Sequence, residues 1–142
     1  MIRKYETTDT TALVEIWSAA NKVAHPFLSD VFVAQVAKDM RDIYLPNAET
    51  WVLEFDQKPI GFIALINTEI GGLFLDPEFH GKRLGKALVD HAVKLKGSLS
   101  VEVFEKNKVG RRFYDLYGFV EVDRYCHEPT NEISLKLTLV KD

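Results

Sequence analysis

The spacing of apolar residues changes period several times along this chain, and those changes leave few architectures open. From about Thr10 to Lys22, Leu13, Ile16, Trp17 and Ala20 recur at helical spacing, with Thr8 and Asp9 as candidate caps. Pro26 breaks the pattern within AHPFLSD, after which Ser29 or Asp30 can open a second helix with a stripe of Phe32, Val33, Val36, Met40 and Ile43. Three β-rich runs follow: TWVLEF (50–55), PIGFIALI (59–66) and IGGLFL (70–75). The DQK between the first two has the length and chemistry of a hairpin loop, and Asp76-Pro77 ends the third because proline cannot donate to a ladder. Helical spacing returns at Leu84, Ala87, Leu88, Ala92 and Leu95 and stops at Gly97. LSVEVF (99–104) alternates as a strand, and Asn107 opens a short helix carrying Val109, Phe113 and Leu116 that Gly118 closes. FVEVDRY and EISLKLTLV complete the series. With IRKY as an opening strand, the order is β, α, α, β, β, β, α, β, α, β, β. Such mixing predicts an α/β fold: a mixed sheet flanked on both faces by about four helices, in one domain spanning 1–142.

Composition narrows what this domain can serve. A chain of 142 residues can bury a core without disulfides or metals, and 46% hydrophobic with 27% charged residues is ordinary for a globular protein. No apolar run approaches the ~20 residues of a membrane span, and MIRKYETTD lacks the apolar segment of a signal peptide, so a cytoplasmic protein with no membrane partner is expected. Cys126 is the only cysteine, which excludes an internal disulfide and leaves no thiolate cluster for zinc; no metal is expected. Within the polar stretch RYCHEPTNE it reads as a loop thiol, although His127 stands beside it. A net charge of -3 and a pI near 5.8 argue against a nucleic-acid surface.

Against that acidic background, LFLDPEFHGKRLGKALVDHAV (73–93) gathers His80, Lys82, Arg83 and Lys86 where a helix begins. A strand ending at Leu75, a tight loop and a helix from Leu84 leave several backbone N–H groups free at the positive end of a helix dipole, an arrangement that binds phosphate or pyrophosphate. Gly81 and Gly85 permit close backbone approach, and the three cations add charge. The bland alternative is a solvated basic turn. The spacing excludes a Walker loop, and the mid-chain position disfavours a dinucleotide-binding unit.

The same stretch resembles the acyl-CoA-binding motif of the GNAT superfamily of N-acetyltransferases, in which a strand and a proline-containing turn lead through Q/R-x-x-G-x-G/A into a helix. His80, Arg83 and Gly85 take its three defining places; only the last matches, while Gly81 and Lys82 fit the form RGKGIG. VFEKNKVGRRFYDLYGF is similar to the second GNAT motif through Asn107, Phe113, Tyr114 and the Tyr117-Gly118-Phe119 end, and HPF (25–27) to a tripeptide of small bacterial members. The resemblance implies the GNAT fold and transfer of an acetyl group from acetyl-CoA to a primary amine by direct attack in a ternary complex; a non-catalytic acyl-CoA sensor of the same fold is the alternative. It implies that Phe74 and Leu75 present backbone groups to the pantetheine and thioester. It also places the diphosphate on His80, Gly81, Lys82, Arg83, Leu84, Gly85 and Lys86, and the cofactor arm near Asn107 and Phe113. Tyr114 would serve the leaving thiolate, through a strong hydrogen bond or a lowered phenol pKa, and Glu69 would be the base. His25 and Phe27 would lie at the acceptor site, His25 as base, acceptor contact or loop-fixing hydrogen bonder. The acceptor is an amine on a protein lysine, an N-terminus or a small molecule, and the protein is expected as a monomer or homodimer.

Overall fold

In the computed structural model, which describes residues 1–140, the chain runs β1 (Ile2–Lys4), α1 (Thr10–Ala24), α2 (Asp30–Asp39), α3 (Leu45–Asn47), β2 (Glu49–Phe55), β3 (Lys58–Ile66), β4 (Glu69–Leu75), α4 (Leu84–Lys96), β5 (Leu99–Phe104), α5 (Lys108–Tyr117), β6 (Val120–His127) and β7 (Glu132–Leu139). The seven strands form one sheet in the order β1-β2-β3-β4-β5-β7-β6. All neighbours are antiparallel except β4 and β5, the pair joined by the α4 crossover. Every element read from the sequence is present and in order; the single-turn α3 is an addition.

Side-chain alternation divides the core between the sheet faces. Val52, Phe62 and Phe74, adjacent in register, pack with Leu13, Trp17 and Leu45 under α1. Leu53, Ile63 and Leu73, one residue along, face the other core, with Leu88, Val89 and Ala92 of α4 and Tyr114 of α5. Helices therefore cover both faces, as the mixed order predicts. The β2–β3 hairpin closes through Asp56 and Gln57, both left-handed with φ of 55° and 64°, the geometry of a two-residue type I′ turn.

The expected stripe on the second helix changes phase. A π-helical segment at Met40–Tyr44 joins α2 to α3 and inserts extra backbone per turn. Met40 stays in the core, but Ile43 rotates outward to 50% exposure and Leu45, at 2%, takes the inward place. Cys126 sits on β6 rather than in a loop, exposed to solvent. Successive strand residues point to opposite faces, so neighbouring His127 is turned away from the thiol.

Candidate active site

The site forms where β4 leaves β5. Strand β4 pairs with β3 over its whole length, from Glu69 opposite Ile66 to Leu75 opposite Gly61. With β5 it pairs only at Glu69–Ser100 and Ile70–Val101. The separation begins at a bulge: Ala64 faces Gly72 and Leu65 faces Ile70, so Gly71 is the extra residue. Beyond it the ladder phase is set by the Asp76 amide, which donates to the Ile60 carbonyl at 2.8 Å. Alternate antiparallel residues turn their backbone groups to the same neighbour, so Phe74 bonds toward β3 while Leu73 and Leu75 point their N–H and C=O into the fork. The expectation that Phe74 and Leu75 present their backbone to a ligand is thus corrected by one position: the pair is Leu73 and Leu75. The Leu75 carbonyl is taken by His80, whose Nε2–H donates to it at 3.2 Å.

A cavity of about 370 Å³ occupies the fork. Its floor is Leu73, Phe74 and Leu75; the basic loop contributes His80, Gly81, Arg83, Leu84, Gly85 and Lys86; and Asn107, Phe113 and Tyr114 close it from α5. The loop ends in two left-handed residues, Gly81 at φ 81° and Arg83 at φ 61°. Glycine adopts this region freely, whereas an L-residue in left-handed backbone costs about 1–2 kcal/mol, which explains why glycine suits the place where Arg83 stands. Ala87 is the first α4 amide to find an acceptor, the Arg83 carbonyl at 3.2 Å. The amides of Gly81, Lys82 and Arg83 have none among the described residues, and those of Leu84, Gly85 and Lys86 form the unsatisfied first turn. Gly85 is buried against the Phe113 ring, so closely that a Cβ there would stand 3.2 Å from it.

The cations are not equivalent. The exposed Arg83 guanidinium has no ion-pair partner among the described residues. Lys86 pairs with Asp90 at 2.9 Å, and Asp90 also accepts the Tyr117 hydroxyl at 2.6 Å. Lys82 lies outside the cavity wall, its Nζ over the Phe79 ring at 5.4 Å.

A second cavity of about 250 Å³ opens on the α1–α2 side and shares His25, Leu73, Phe74, Asn107 and Tyr114 with the first. Its other walls are mostly apolar, including Trp17, Leu28, Phe32, Val33 and Val36, and its one carboxylate among the described residues is Glu102. The Tyr125 hydroxyl donates to Glu102 at 2.8 Å. Glu69 lines neither cavity; it is held beside Ser100 at the root of the fork. Phe27 also lies outside both, edge-on to His25 and Phe104 at 5.7 Å from each ring centroid. The sequence reading missed Glu102, whose signal was its outward phase in the alternating LSVEVF.

Tyr114 is 7% exposed, lies between the two cavities, and its hydroxyl has no hydrogen-bond partner among the described residues. Burial pushes its phenol well above the ordinary range, because the phenolate would be desolvated. The expected option of a lowered phenol pKa is therefore corrected, and hydrogen-bond donation by a neutral phenol remains. Asn107 caps α5, its Oδ1 accepting the Gly110 amide at 2.9 Å. His25 has both ring nitrogens engaged, Nδ1 with Asn21 and Nε2 with Asn107, and desolvation pushes its pKa down to about 4.

A parted parallel pair of strands, free amides at the adjoining helix start and an apolar channel between them together define an acyl-CoA-dependent transferase. Six amides and an unpaired guanidinium suit a diphosphate, and the channel suits a pantetheine arm. Residues 46–121 match the family described as Acetyltransferase (GNAT) domain. The chain is 35% identical over 119 residues to the peptidyl-lysine N-acetyltransferase YjaB of Salmonella typhimurium, covering 83% of this chain and 81% of that protein. It is 32% identical over 124 residues to the peptidyl-lysine N-acetyltransferase YiaC of Escherichia coli, covering 87% and 85%. Among solved structures, it superposes on apo YjaB from Escherichia coli with a TM-score of 0.89 at 29% identity, covering 100% of this chain and 98% of that one. The PaiA N-acetyltransferase of Thermoplasma acidophilum, solved in complex with coenzyme A, gives 0.84 at 22% identity, covering 100% and 98%. The chain belongs to the GNAT acetyltransferase family. No helix among the described residues is long and apolar enough to cross a membrane.

Proposed function

We propose that the protein transfers the acetyl group of acetyl-CoA directly to the side-chain amine of a peptidyl lysine. The observation that carries this reading is the meeting of two cavities across Tyr114, one with an anion-binding helix start and the other mostly apolar, with Glu102 its one carboxylate among the described residues. A lysine side chain has matching chemistry: an aliphatic stem for the apolar wall and an ammonium for Glu102. Acetyl-CoA would supply an activated thioester. The basic loop holds the diphosphate; the amide of Leu75, which lines the cofactor cavity alone, holds the pantetheine arm, and the amide of Leu73, about 6.6 Å further along the strand and lining both cavities, donates to the oxygen that gains charge during attack, an effect worth about 3–4 kcal/mol in a fixed, dry site. Glu102, directly or through water, takes the proton that the ammonium loses to become a nucleophile. The amine nitrogen forms the new C–N bond as the C–S bond breaks; the surplus proton on that nitrogen passes through water to the departing sulfur, giving the amide and the free thiol, while a hydrogen bond from Tyr114 stabilises the developing thiolate.

The test combines the protein, acetyl-CoA and a panel of lysine peptides, N-terminal amines and polyamines, following free thiol and acetylated product by mass spectrometry. Lysine peptides are expected to react fastest. Tight acetyl-CoA binding with no thiol release from any amine would overturn the enzyme reading in favour of a sensor.

A further inference from the structure

The wall shared by the two cavities contains a chain of polar groups with one consistent assignment of protons. Asn107 Oδ1 accepts from the Gly110 amide at 2.9 Å, which leaves the Asn107 amino group facing His25 Nε2 at 3.1 Å. An amino group only donates, so Nε2 is the bare nitrogen and accepts. The ring proton therefore resides on Nδ1, 2.7 Å from Asn21 Oδ1, which accepts it. Asn21 is itself buried, one turn before His25 at the end of α1. Phe27 and Phe104 pack edge-on to the imidazole at 5.7 Å and 5.3 Å and exclude water from it. The titratable and charged groups on the same cavity walls are His80, Arg83 and Lys86 on one side and Glu102 and His127 on the other, with Tyr114 shared; none hydrogen-bonds the ring among the described residues.

We infer that His25 is a positioning residue: as the neutral Nδ1–H tautomer it fixes the orientation of the Asn107 amide, and through that cap it seats the helix carrying Tyr114. The inference rests on the acetyltransferase reading above for its kinetic consequence but not for its structural one. A protonated ring would turn Nε2–H toward the Asn107 amino group, donor against donor. Only a flip of Asn107 relieves that clash, and the flip surrenders the cap on Gly110. Charge on His25 is thus incompatible with the arrangement, which separates this role from that of a proton-accepting base.

Two near-isosteric variants divide the ring's functions. In His25→Gln the side-chain oxygen reaches toward the place of Nε2 and can still accept from Asn107; in His25→Asn it reaches only toward the place of Nδ1. Turnover with a lysine peptide is expected within about threefold of wild type for His25→Gln and lower by about tenfold or more for His25→Asn, with the acidic limb of the pH–rate profile unmoved in both. Wild-type turnover in His25→Asn, or an acidic limb that shifts with either variant, would overturn the inference. Independently of activity, 15N spectroscopy of the imidazoles in the full unliganded chain, assigned by the signals lost in His25→Gln, is expected to show a neutral Nδ1–H ring from about pH 5 to about pH 8. An Nε2–H tautomer or a titration in that range would sink the inference. The expected tautomer in a protein that acetylates no amine would instead sink the acetyltransferase reading.

Discussion

Replacing Tyr114 with phenylalanine deletes one hydroxyl and leaves the ring, which packs edge-on to Phe113 at 5.1 Å and Phe119 at 5.2 Å. Because that hydroxyl has no partner among the described residues, its loss breaks no hydrogen bond, and the stability change should stay within about 0.5 kcal/mol. The chemical effect is bounded by proton affinities. A phenol near 10 facing a thiol near 8.5 makes full transfer to sulfur uphill by about 2 kcal/mol, and burial of Tyr114 makes it steeper. What the hydroxyl can supply is a hydrogen bond to a developing thiolate, worth about 1.5–3 kcal/mol for a charged acceptor, or roughly 10- to 150-fold in turnover. The assay follows thiol release at saturating acetyl-CoA and lysine peptide, beside calorimetric binding of acetyl-CoA and thermal unfolding. Turnover should fall into that range, with the dissociation constant changed by less than about twofold and the melting temperature by less than about 2 °C. Unchanged turnover would remove the assigned role, and a melting temperature lowered by more than about 5 °C would show that the hydroxyl holds the fold.

Arg83→Gly should move stability and cofactor binding in opposite directions. Relief of left-handed strain by about 1–2 kcal/mol, less about 0.5–1 for the freer unfolded glycine, predicts a net gain of up to about 1.5 kcal/mol in denaturant unfolding. Loss of the unpaired guanidinium should weaken acetyl-CoA binding about fivefold, and a lowered unfolding midpoint would contradict the strain argument. Glu102→Gln should reduce kcat/KM for a lysine peptide by about tenfold or more while Glu69→Gln leaves it within about threefold; the reverse order would return the base to Glu69. At the other end of the sheet, Asp9 accepts two 2.8 Å bonds from Arg3, and this pairing holds its carboxyl below the usual range against the opposing effect of burial. Its stabilising contribution is fully present above the ordinary aspartate value near pH ~4 and is lost as pH falls through the depressed one. Asp9→Asn should therefore flatten the acid limb of the stability–pH curve, and an unaltered limb would refute the linkage.

The elements were legible because each has its own local cause. Helical stripes, the hairpin signal, the proline after β4 and the glycines after α4 and α5 act within a few residues, and the structure keeps every element they mark, although Ile43, Leu95, Val109 and Leu116 of the stripes stand exposed. The parting of β4 from β5 was legible only through family resemblance, since it depends on which strand lies beside which. The ladder phase that turns Leu73 rather than Phe74 into the fork depends on the Gly71 bulge, which no periodicity of EIGGLFL reveals. Ile43 failed for a related reason: a π-helical turn adds backbone without altering the apparent stripe. Site residues next to one another in the chain, from His80 to Lys86, were found together. Glu102, which reaches the site only through strand order and a tyrosine from β6, was not.

Gly71 gives the sheet one more residue on β4 than β3 can match, at the point where β5 is released. A continuous seven-stranded sheet would keep every inner amide occupied and have none to offer a visitor. One surplus residue leaves the leucine amides beyond it unclaimed, so the protein's capacity to receive an acyl carrier is written as a miscount in its own hydrogen bonding.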